Sequence, residues 1–155
     1  MRLQNSLFAL VIAVPTAGQA LLPLSQSQDC FAAGSSAYRI SSTSQPDYRV
    51  RIDNHAARPD LRIQLIDQSA SADFVLVDDS DAAQGHACPA SMALKTIRID
   101  ENEKSPDLTI SLSTDAVDSD YKLYVHSARF SDQDAAALFG VMWRTAHSQN
   151  LAQQR

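Results

Sequence analysis

Short runs of alternating apolar and polar residues follow one another along most of this chain, and they constrain its fold more than any other feature. Alternation with period two places apolar side chains on one face of a β-strand. The alternating runs lie at residues 48–52, 61–66, 95–99, 108–112 and 121–126, and residues 74–77 are wholly apolar. Asp, Asn, Ser and Pro residues separate the runs, which is typical of hairpin turns. We therefore predict a mostly antiparallel sheet of five to seven short strands.

The clearest helix signal lies near the end of the chain. Ser131 is a typical N-cap residue, and acidic side chains at Asp132 and Asp134 interact favourably with a helix dipole. Apolar residues then recur at helical spacing: Ala135, Leu138, Phe139, Met142 and Ala146. This stripe predicts a C-terminal amphipathic helix packed on one face of the sheet. The fold class is therefore α+β, and we find no internal repeat.

The first 20 residues have the order of a secretory signal peptide. Met1 and Arg2 supply a positive start, residues 7–14 are apolar, and residues 18–20 place small side chains where a signal peptidase cuts. The apolar run is too short for a bilayer, which needs about 20 residues. We expect a soluble mature chain that begins at Leu21 and has no transmembrane segment.

A lipid anchor is not expected at Cys30. Lipoprotein processing requires a small, apolar-led tripeptide directly before the cysteine, whereas residues 27–29 are Ser-Gln-Asp. We divide the chain into a signal peptide (1–20), an irregular Ser- and Gln-rich segment (21–47), a single α+β domain (48–148) and a polar tail (149–155). The irregular segment includes one short strand at 37–40.

Cys30 and Cys88 are the two cysteines of the chain. An even pair in an exported protein predicts a disulfide. Closing a loop of this length stabilises a fold by about 4 kcal/mol in the chain-entropy model. The bridge ties the N-terminal segment to the main domain.

No motif for catalysis or cofactor binding occurs. The chain has no Gly-x-Ser-x-Gly elbow, and its four glycines are too scattered for a phosphate-binding loop. His86 and Cys88 lack the further ligands that a metal site needs. The acidic clusters at 78–81 and 115–120 fit turn aspartates better than a helix–loop–helix calcium loop, although an irregular calcium site stays open. We predict no metal, no cofactor and, at a net charge of −5, no nucleic-acid partner.

Basic residues form the first candidate interaction surface. Arg49 and Arg51 share one face of their strand, and Arg62 joins them if the strands at 48–52 and 61–66 pair. Such a patch suits a partner that bears carboxylate or phosphate groups. The alternative is pairing of these arginines with aspartates of the same chain.

A second candidate surface lies on the strand at 121–126. Lys122, Tyr124 and His126 alternate with apolar residues and therefore share the opposite face. Exposed tyrosine is common in contact surfaces. The alternative is burial of this face under a second layer.

These features favour a non-enzymatic protein-interaction module, periplasmic or secreted, with a protein partner in the cell envelope. An accessory of an envelope or secretion assembly fits this description, and residues 72–77 resemble strands of periplasmic α/β modules of envelope machinery. One alternative is an inhibitor of an exported hydrolase that acts through the loop at 78–93. Another is a small hydrolase or ligand-binding protein whose site is assembled in space.

Overall fold

A computed structural model of the chain describes residues 30–77, 88, 90–115 and 118–153. The predicted signal peptide and residues 78–87 of the predicted loop lie outside the described residues. The strands are β1 (Cys30–Ala33), β2 (Ser36–Ile40), β3 (Tyr48–Ile52), β4 (Leu61–Leu65), β5 (Phe74–Val77), β6 (Ala93–Ile99), β7 (Leu108–Ser113) and β8 (Tyr121–His126). One helix, α1, spans Asp132–Gln153.

The strands form one curled half-barrel sheet in the order β1-β2-β6-β3-β7-β4-β8-β5. β1 and β2 are antiparallel, whereas every other neighbouring pair of described strands is parallel. The prediction of a mostly antiparallel sheet of five to seven strands is therefore wrong. The C-terminal helix on one face of the sheet is present.

Two interleaved ribbons explain the difference. The first ribbon comprises β2 to β5, the second comprises β6 to β8, and the two alternate across the sheet. The connection between β3 and β4, residues 53–60, must therefore pass β7. It bonds to β7 near both ends, because Leu112 N–H donates to Asn54 Oδ1 and Thr109 N–H donates to Asp60 Oδ2.

Short connections suffice for this parallel arrangement because the strands are short. An eight-residue connection reaches about 26 Å when extended, whereas a five-residue strand rises about 17 Å. Turn-forming residues between alternating runs favour hairpins, and parallel strands usually need connections of about a dozen residues or more. The local pattern therefore predicted the strands but not their partners.

The core lies between the sheet and α1. We call the sheet face that packs against α1 the inner face and the opposite face the outer face. The buried inner-face residues include Val50, Ile52, Leu61, Ile63, Ile97, Leu108, Ile110, Leu112 and Leu123. The first half of α1 packs closely against the sheet because its side chains there are small. Ala135, Ala136 and Ala137 are fully buried.

The ends of the described chain are more regular than expected. Residues 21–47, predicted to be irregular with one short strand, include both β1 and β2. Residues 149–153, predicted as tail, continue α1. The predicted disulfide is confirmed, with the Cα atoms of Cys30 and Cys88 5.2 Å apart. Within the described ranges, no helix has the length and apolarity needed to cross a membrane.

Candidate functional site

The outer face of the sheet carries all of the surface residues that the sequence singled out. Each alternates along its strand with a residue that faces α1, and the strand register places them on one side. They are Arg49 and Arg51 on β3, Arg62 on β4, and Lys122, Tyr124 and His126 on β8.

The predicted grouping of the three arginines does not form through strand pairing. β7 lies between β3 and β4, so these strands are two inter-strand spacings, about 10 Å, apart. Arg62 is further removed from Arg49 and Arg51 because it aligns with Ser111 of β7, whereas Arg51 aligns with Thr109. Arg49 instead lies directly beside Arg98 of β6. The reason is again the interleaving, which inserts a strand from the second ribbon.

The connection between β6 and β7 bonds to arginines of β3 and β6 on the outer face. Arg98 forms an ion pair with the Glu103 carboxylate, and Arg51 Nη1 donates a hydrogen bond to the Glu103 carbonyl oxygen at 3.3 Å. Hydrogen bonds from the Ser105 N–H and from Arg98 lower the pKa of the Glu103 carboxyl. Arg51 Nε also lies 4.0 Å from Asp53 Oδ2. Acidic groups of the same chain therefore satisfy part of this basic patch.

No described residue covers the end of the outer face formed by β8 and β5. Lys122 and His126 are exposed, and Tyr124 is half-buried. The register places Tyr124 beside Val75 and His126 beside Val77 of β5. These valines are 43% and 49% exposed, respectively, which is high for β-branched apolar side chains. We call this group of five residues the β5 edge site.

β5 is a terminal strand of the sheet. Its one neighbour is β8, and no strand within the described residues pairs with its other edge. Natural edge strands are usually protected by lysine, proline, bulges or a covering segment. The sequence of β5, Phe-Val-Leu-Val, contains no lysine and no proline. The described part of the protein therefore presents a strand edge with the side chains and backbone groups that a further strand would use.

Sequence reasoning missed the two valines because a continuous apolar run is typical of a central strand covered on both faces. Phe74 and Leu76 do turn inward, and Phe74 packs on Phe139 with ring centroids 5.2 Å apart. The signal that distinguishes an edge from a central position is the strand order, which depends on partners far away in sequence.

A row of aspartates lies at the N-terminal ends of the parallel strands. One aspartate directly precedes each of β3, β4, β5, β7 and β8. Each carboxylate in this aspartate row accepts a hydrogen bond from a backbone N–H of the neighbouring strand. The bonds join Asp47 to Thr96 (2.7 Å), Asp60 to Thr109 (2.7 Å), Asp73 to Lys122 (2.8 Å), Asp107 to Arg49 (2.8 Å) and Asp120 to Arg62 (2.7 Å).

The aspartate row follows a regular spacing that sequence reasoning missed. Asp47, Asp60 and Asp73 are 13 residues apart, as are Asp107 and Asp120. Each ribbon therefore repeats a unit of aspartate, strand and returning connection. The expectation of no internal repeat is corrected by this spacing, which a search for a fixed period would have found.

Asp47 has the most strongly bonded carboxylate of the row. It accepts from the Thr96 N–H and from the Thr96 hydroxyl at 2.9 Å, and Lys95 Nζ lies 3.7 Å away. These interactions, the backbone hydrogen bond above all, lower the pKa of Asp47 below its ordinary value. The row is therefore occupied in joining strands, which is a structural role.

Nothing among the described residues groups three or more His, Cys, Asp or Glu side chains closely enough to hold a metal ion. His86 and the cluster at 78–81 lie outside those residues. No protein-family model matches the chain, and a search of curated proteins finds no match either.

Proposed function

We propose that this protein is an exported, non-enzymatic interaction module whose partner adds an extended segment to the free edge of β5. The observation that carries the proposal is the β5 edge site, where exposed valines of β5 adjoin Tyr124 and His126 of β8. No strand among the described residues pairs with the other edge of β5. An added strand gains main-chain hydrogen bonds from the edge, and its alternate side chains contact the sheet face for specificity.

The chemistry of the surroundings describes the partner segment. Val75 and Val77 favour β-branched or aromatic residues opposite them. Lys122 lies on the same face, and Arg62 is exposed on the neighbouring strand β4 without an ion pair among the described residues. The partner segment is therefore extended, alternates apolar residues with polar ones, and carries acidic residues that meet these cations.

Export is part of the proposal. The disulfide between Cys30 and Cys88 is compatible with an oxidising compartment. The order of residues 1–20 supports a signal peptide that sends the chain there. The inhibitor alternative has no observation in its favour, because residues 78–87 of its loop lie outside the described residues.

The test uses the disulfide-bonded mature chain, residues 21–155, with a photo-crosslinking amino acid at position 77 or, as the control, at position 94. Leu94 is a matched position because it is 40% exposed on the outer face but lies on β6, inside the sheet. After irradiation in the native cell envelope, we expect one protein to cross-link in defined stoichiometry from position 77 and not from position 94.

Charge substitutions then test the edge directly. Val75→Lys together with Val77→Lys places charges on the edge, a device that blocks strand addition, whereas Leu94→Lys is the matched control. We expect binding of the cross-linked partner to fall at least about tenfold in the double variant and to persist in the control. Equal cross-linking from positions 77 and 94, or full binding by the double variant, would contradict the proposal.

A further inference from the structure

Positive and negative charges are segregated between the strands and the rest of the described chain. The strands β1 to β8 contain seven lysines and arginines but no Asp or Glu residue. One of the seven, Lys95, pairs with Asp47 at the strand ends. The other six alternate with core residues and therefore project from the outer face. These six are Arg39, Arg49, Arg51, Arg62, Arg98 and Lys122. The strand positions of the outer face thus carry positive charge only, although the net charge of the chain is −5.

Three of these six cations are available to a partner. Arg49, Arg62 and Lys122 are exposed and form no ion pair among the described residues, whereas Arg51 and Arg98 are engaged by acidic residues. The three lie on β3, β4 and β8, within the consecutive strands β3-β7-β4-β8 of the sheet. Three inter-strand spacings, about 14 Å, therefore separate the outermost two of these strands. The available cations are spread over a broad surface and do not converge on one small ligand.

Exposed apolar side chains flank the available cations on both sides. Three large apolar side chains of the described residues are exposed, namely Val75, Val77 and Leu94. All three lie on the outer face. Leu94 belongs to β6, which adjoins β3, and the valines belong to β5, which adjoins β8. Cations beside exposed apolar groups are typical of surfaces that bind at the headgroup layer of an anionic membrane.

The aspartate row limits how an anionic surface can approach. Its carboxylates lie at the N-terminal ends of the strands and accept backbone N–H groups, among them those of Arg49, Arg62 and Lys122. Like charges repel, so an anionic surface contacts the cations with the row turned away from it. Docking therefore occurs in one orientation, with α1 on the side away from the anionic surface.

We propose that the outer face docks on the surface of an anionic phospholipid bilayer. Arg49, Arg62 and Lys122 pair with headgroup phosphates, and the three exposed apolar side chains enter the boundary between headgroups and acyl chains. Five of the six outer-face cations are arginines, whose planar guanidinium group matches the geometry of a phosphate.

A bilayer fits the outer face better than an acidic peptide does. An extended segment added at β5 is about 5 Å wide, so it lies near Lys122 but far from Arg49 and Leu94 on the other side of β7. A bilayer surface contacts all of these residues at once. This docking goes beyond the proposed binding of a protein segment at the β5 edge site, because it needs no protein partner.

Cosedimentation of the mature, disulfide-bonded chain with lipid vesicles tests the proposal. One set of vesicles contains phosphatidylcholine with about one third phosphatidylglycerol, and the other contains phosphatidylcholine alone. We expect the partition coefficient to be at least about tenfold higher for the anionic vesicles. It should fall as salt is raised from about 0.1 M to about 1 M, because the Debye length shortens from about 10 Å to about 3 Å.

Charge-matched variants connect the binding to the outer face. Arg49→Gln together with Arg62→Gln removes two of the available cations and should lower the partition coefficient at least about tenfold. Arg144→Glu changes the net charge by the same amount at an exposed position of α1 and should leave the coefficient within about twofold. Leu94→Ser tests the apolar contact and should lower the coefficient at least about threefold. Circular dichroism checks that each variant is folded.

Equal partition into both kinds of vesicle, or no binding to the anionic ones, overturns the proposal. So does a loss with Arg144→Glu as large as that with the double variant. Polyaspartate that binds as tightly as the anionic vesicles would assign the face to an acidic protein. Vesicle binding that appears only after Asp78, Asp79 and Asp81 are changed to Asn would assign it to that segment of the same chain. Either result overturns docking on a bilayer.

The two proposals fail separately. The vesicles contain no protein, so their binding does not depend on a partner for the β5 edge site. Conversely, Arg49 lies outside that site, and Arg49→Gln should lower vesicle binding while leaving cross-linking from position 77 unchanged.

Discussion

At the scale of single residues, an aspartate before a strand performs two tasks in this fold. Its carboxylate accepts the N–H of a residue in the neighbouring strand, and its own N–H donates to the carbonyl oxygen of the same residue, as between Asp60 and Thr109. This pair of bonds fixes the register at the point where a connection returns to the sheet. A slip by one residue would reverse the faces of all side chains in the strand.

The first prediction concerns Asp60, whose partner Thr109 is buried. Asp60→Ala leaves the Thr109 N–H without its acceptor and should lower the free energy of unfolding by about 1–3 kcal/mol. Asp60→Asn keeps a neutral acceptor and should cost less. Urea denaturation measures both, and Glu101→Ala, at an exposed connection residue, should stay within about 0.5 kcal/mol of the parent. An Asp60→Ala effect no larger than that control would contradict the register-fixing role.

The second prediction concerns Asp47 and pH. Because folding lowers the pKa of this carboxyl, the charged form contributes stability above its ordinary pKa of 3.8. That contribution is lost as pH falls below 3.8 through the folded value. We therefore expect the stability difference between the parent and Asp47→Asn to be constant near neutral pH and to shrink in acid. Urea titrations from about pH 7 to about pH 2 measure this difference; a difference that grows in acid would contradict the assigned interactions.

At the scale of elements, the fit of α1 against β7 depends on one glycine. A Cβ added at Gly140 would lie 2.5 Å from Leu108 Cδ2 and 2.8 Å from Ile110 Cδ1. Both atoms belong to fully buried side chains of the inner face. The helix backbone therefore approaches the sheet more closely at this point than a larger residue would permit.

The third prediction follows from this contact. Gly140→Ala gains about 1 kcal/mol of helix propensity but overpacks the core, which typically costs about 1–3 kcal/mol. The net effect should be destabilising by up to about 2 kcal/mol. Leu108→Val shortens the side chain whose Cδ2 methyl lies nearest to the added Cβ. The double variant should therefore lose less free energy of unfolding than the two single variants combined, by at least about 0.5 kcal/mol. If the two losses of the free energy of unfolding were strictly additive in thermal or urea denaturation, the contact between residue 140 and Leu108 would be contradicted.

Elements and their partners differ in how far the sequence predicts them. The alternating runs at 48–52 and 121–126 coincide with β3 and β8, and the N-cap at Ser131 is followed by α1 from Asp132, because these signals are local. Pairing depends on contacts such as that between Asp47 and Thr96, 49 residues apart. The β5 edge site could be predicted only in part for the same reason. Its polar members follow from alternation within β8, whereas its exposed valines follow from the position of β5 at the end of the sheet.

At the scale of the whole molecule, the disulfide joins β1 to the segment that precedes the second ribbon. Cys30 lies in β1, beside the first ribbon, and Cys88 precedes β6, the first strand of the second ribbon. Because 58 residues separate the two cysteines, the bridge removes considerable freedom from the unfolded chain. The bridge thereby favours the contacts between residues distant in sequence on which the sheet depends.

The fourth prediction is therefore a large effect of removing the bridge. The variant with Cys30→Ser and Cys88→Ser should lose about 4 kcal/mol of the free energy of unfolding in the chain-entropy model. It should also refold more slowly than the bridged chain, since sheets built from contacts distant in sequence fold slowly. Equilibrium urea unfolding measures the stability, and stopped-flow refolding measures the rate. An unchanged urea midpoint would contradict a stabilising role for the bridge.

The interleaving itself gives the last prediction, because neither ribbon contains the partners that its strands need. In the described sheet, β6, β7 and β8 pair only with strands of the first ribbon, and within residues 30–77 only β1 and β2 pair with each other. A chain divided between residues 81 and 82 should therefore yield two fragments, 21–81 and 82–155, that lack cooperative unfolding when alone. Mixed in equal amounts under oxidising conditions, they should recover the circular-dichroism spectrum of the intact chain and join through Cys30 and Cys88. Cooperative thermal unfolding by either isolated fragment would mean that one ribbon holds a sheet of its own, which the interleaved strand order forbids.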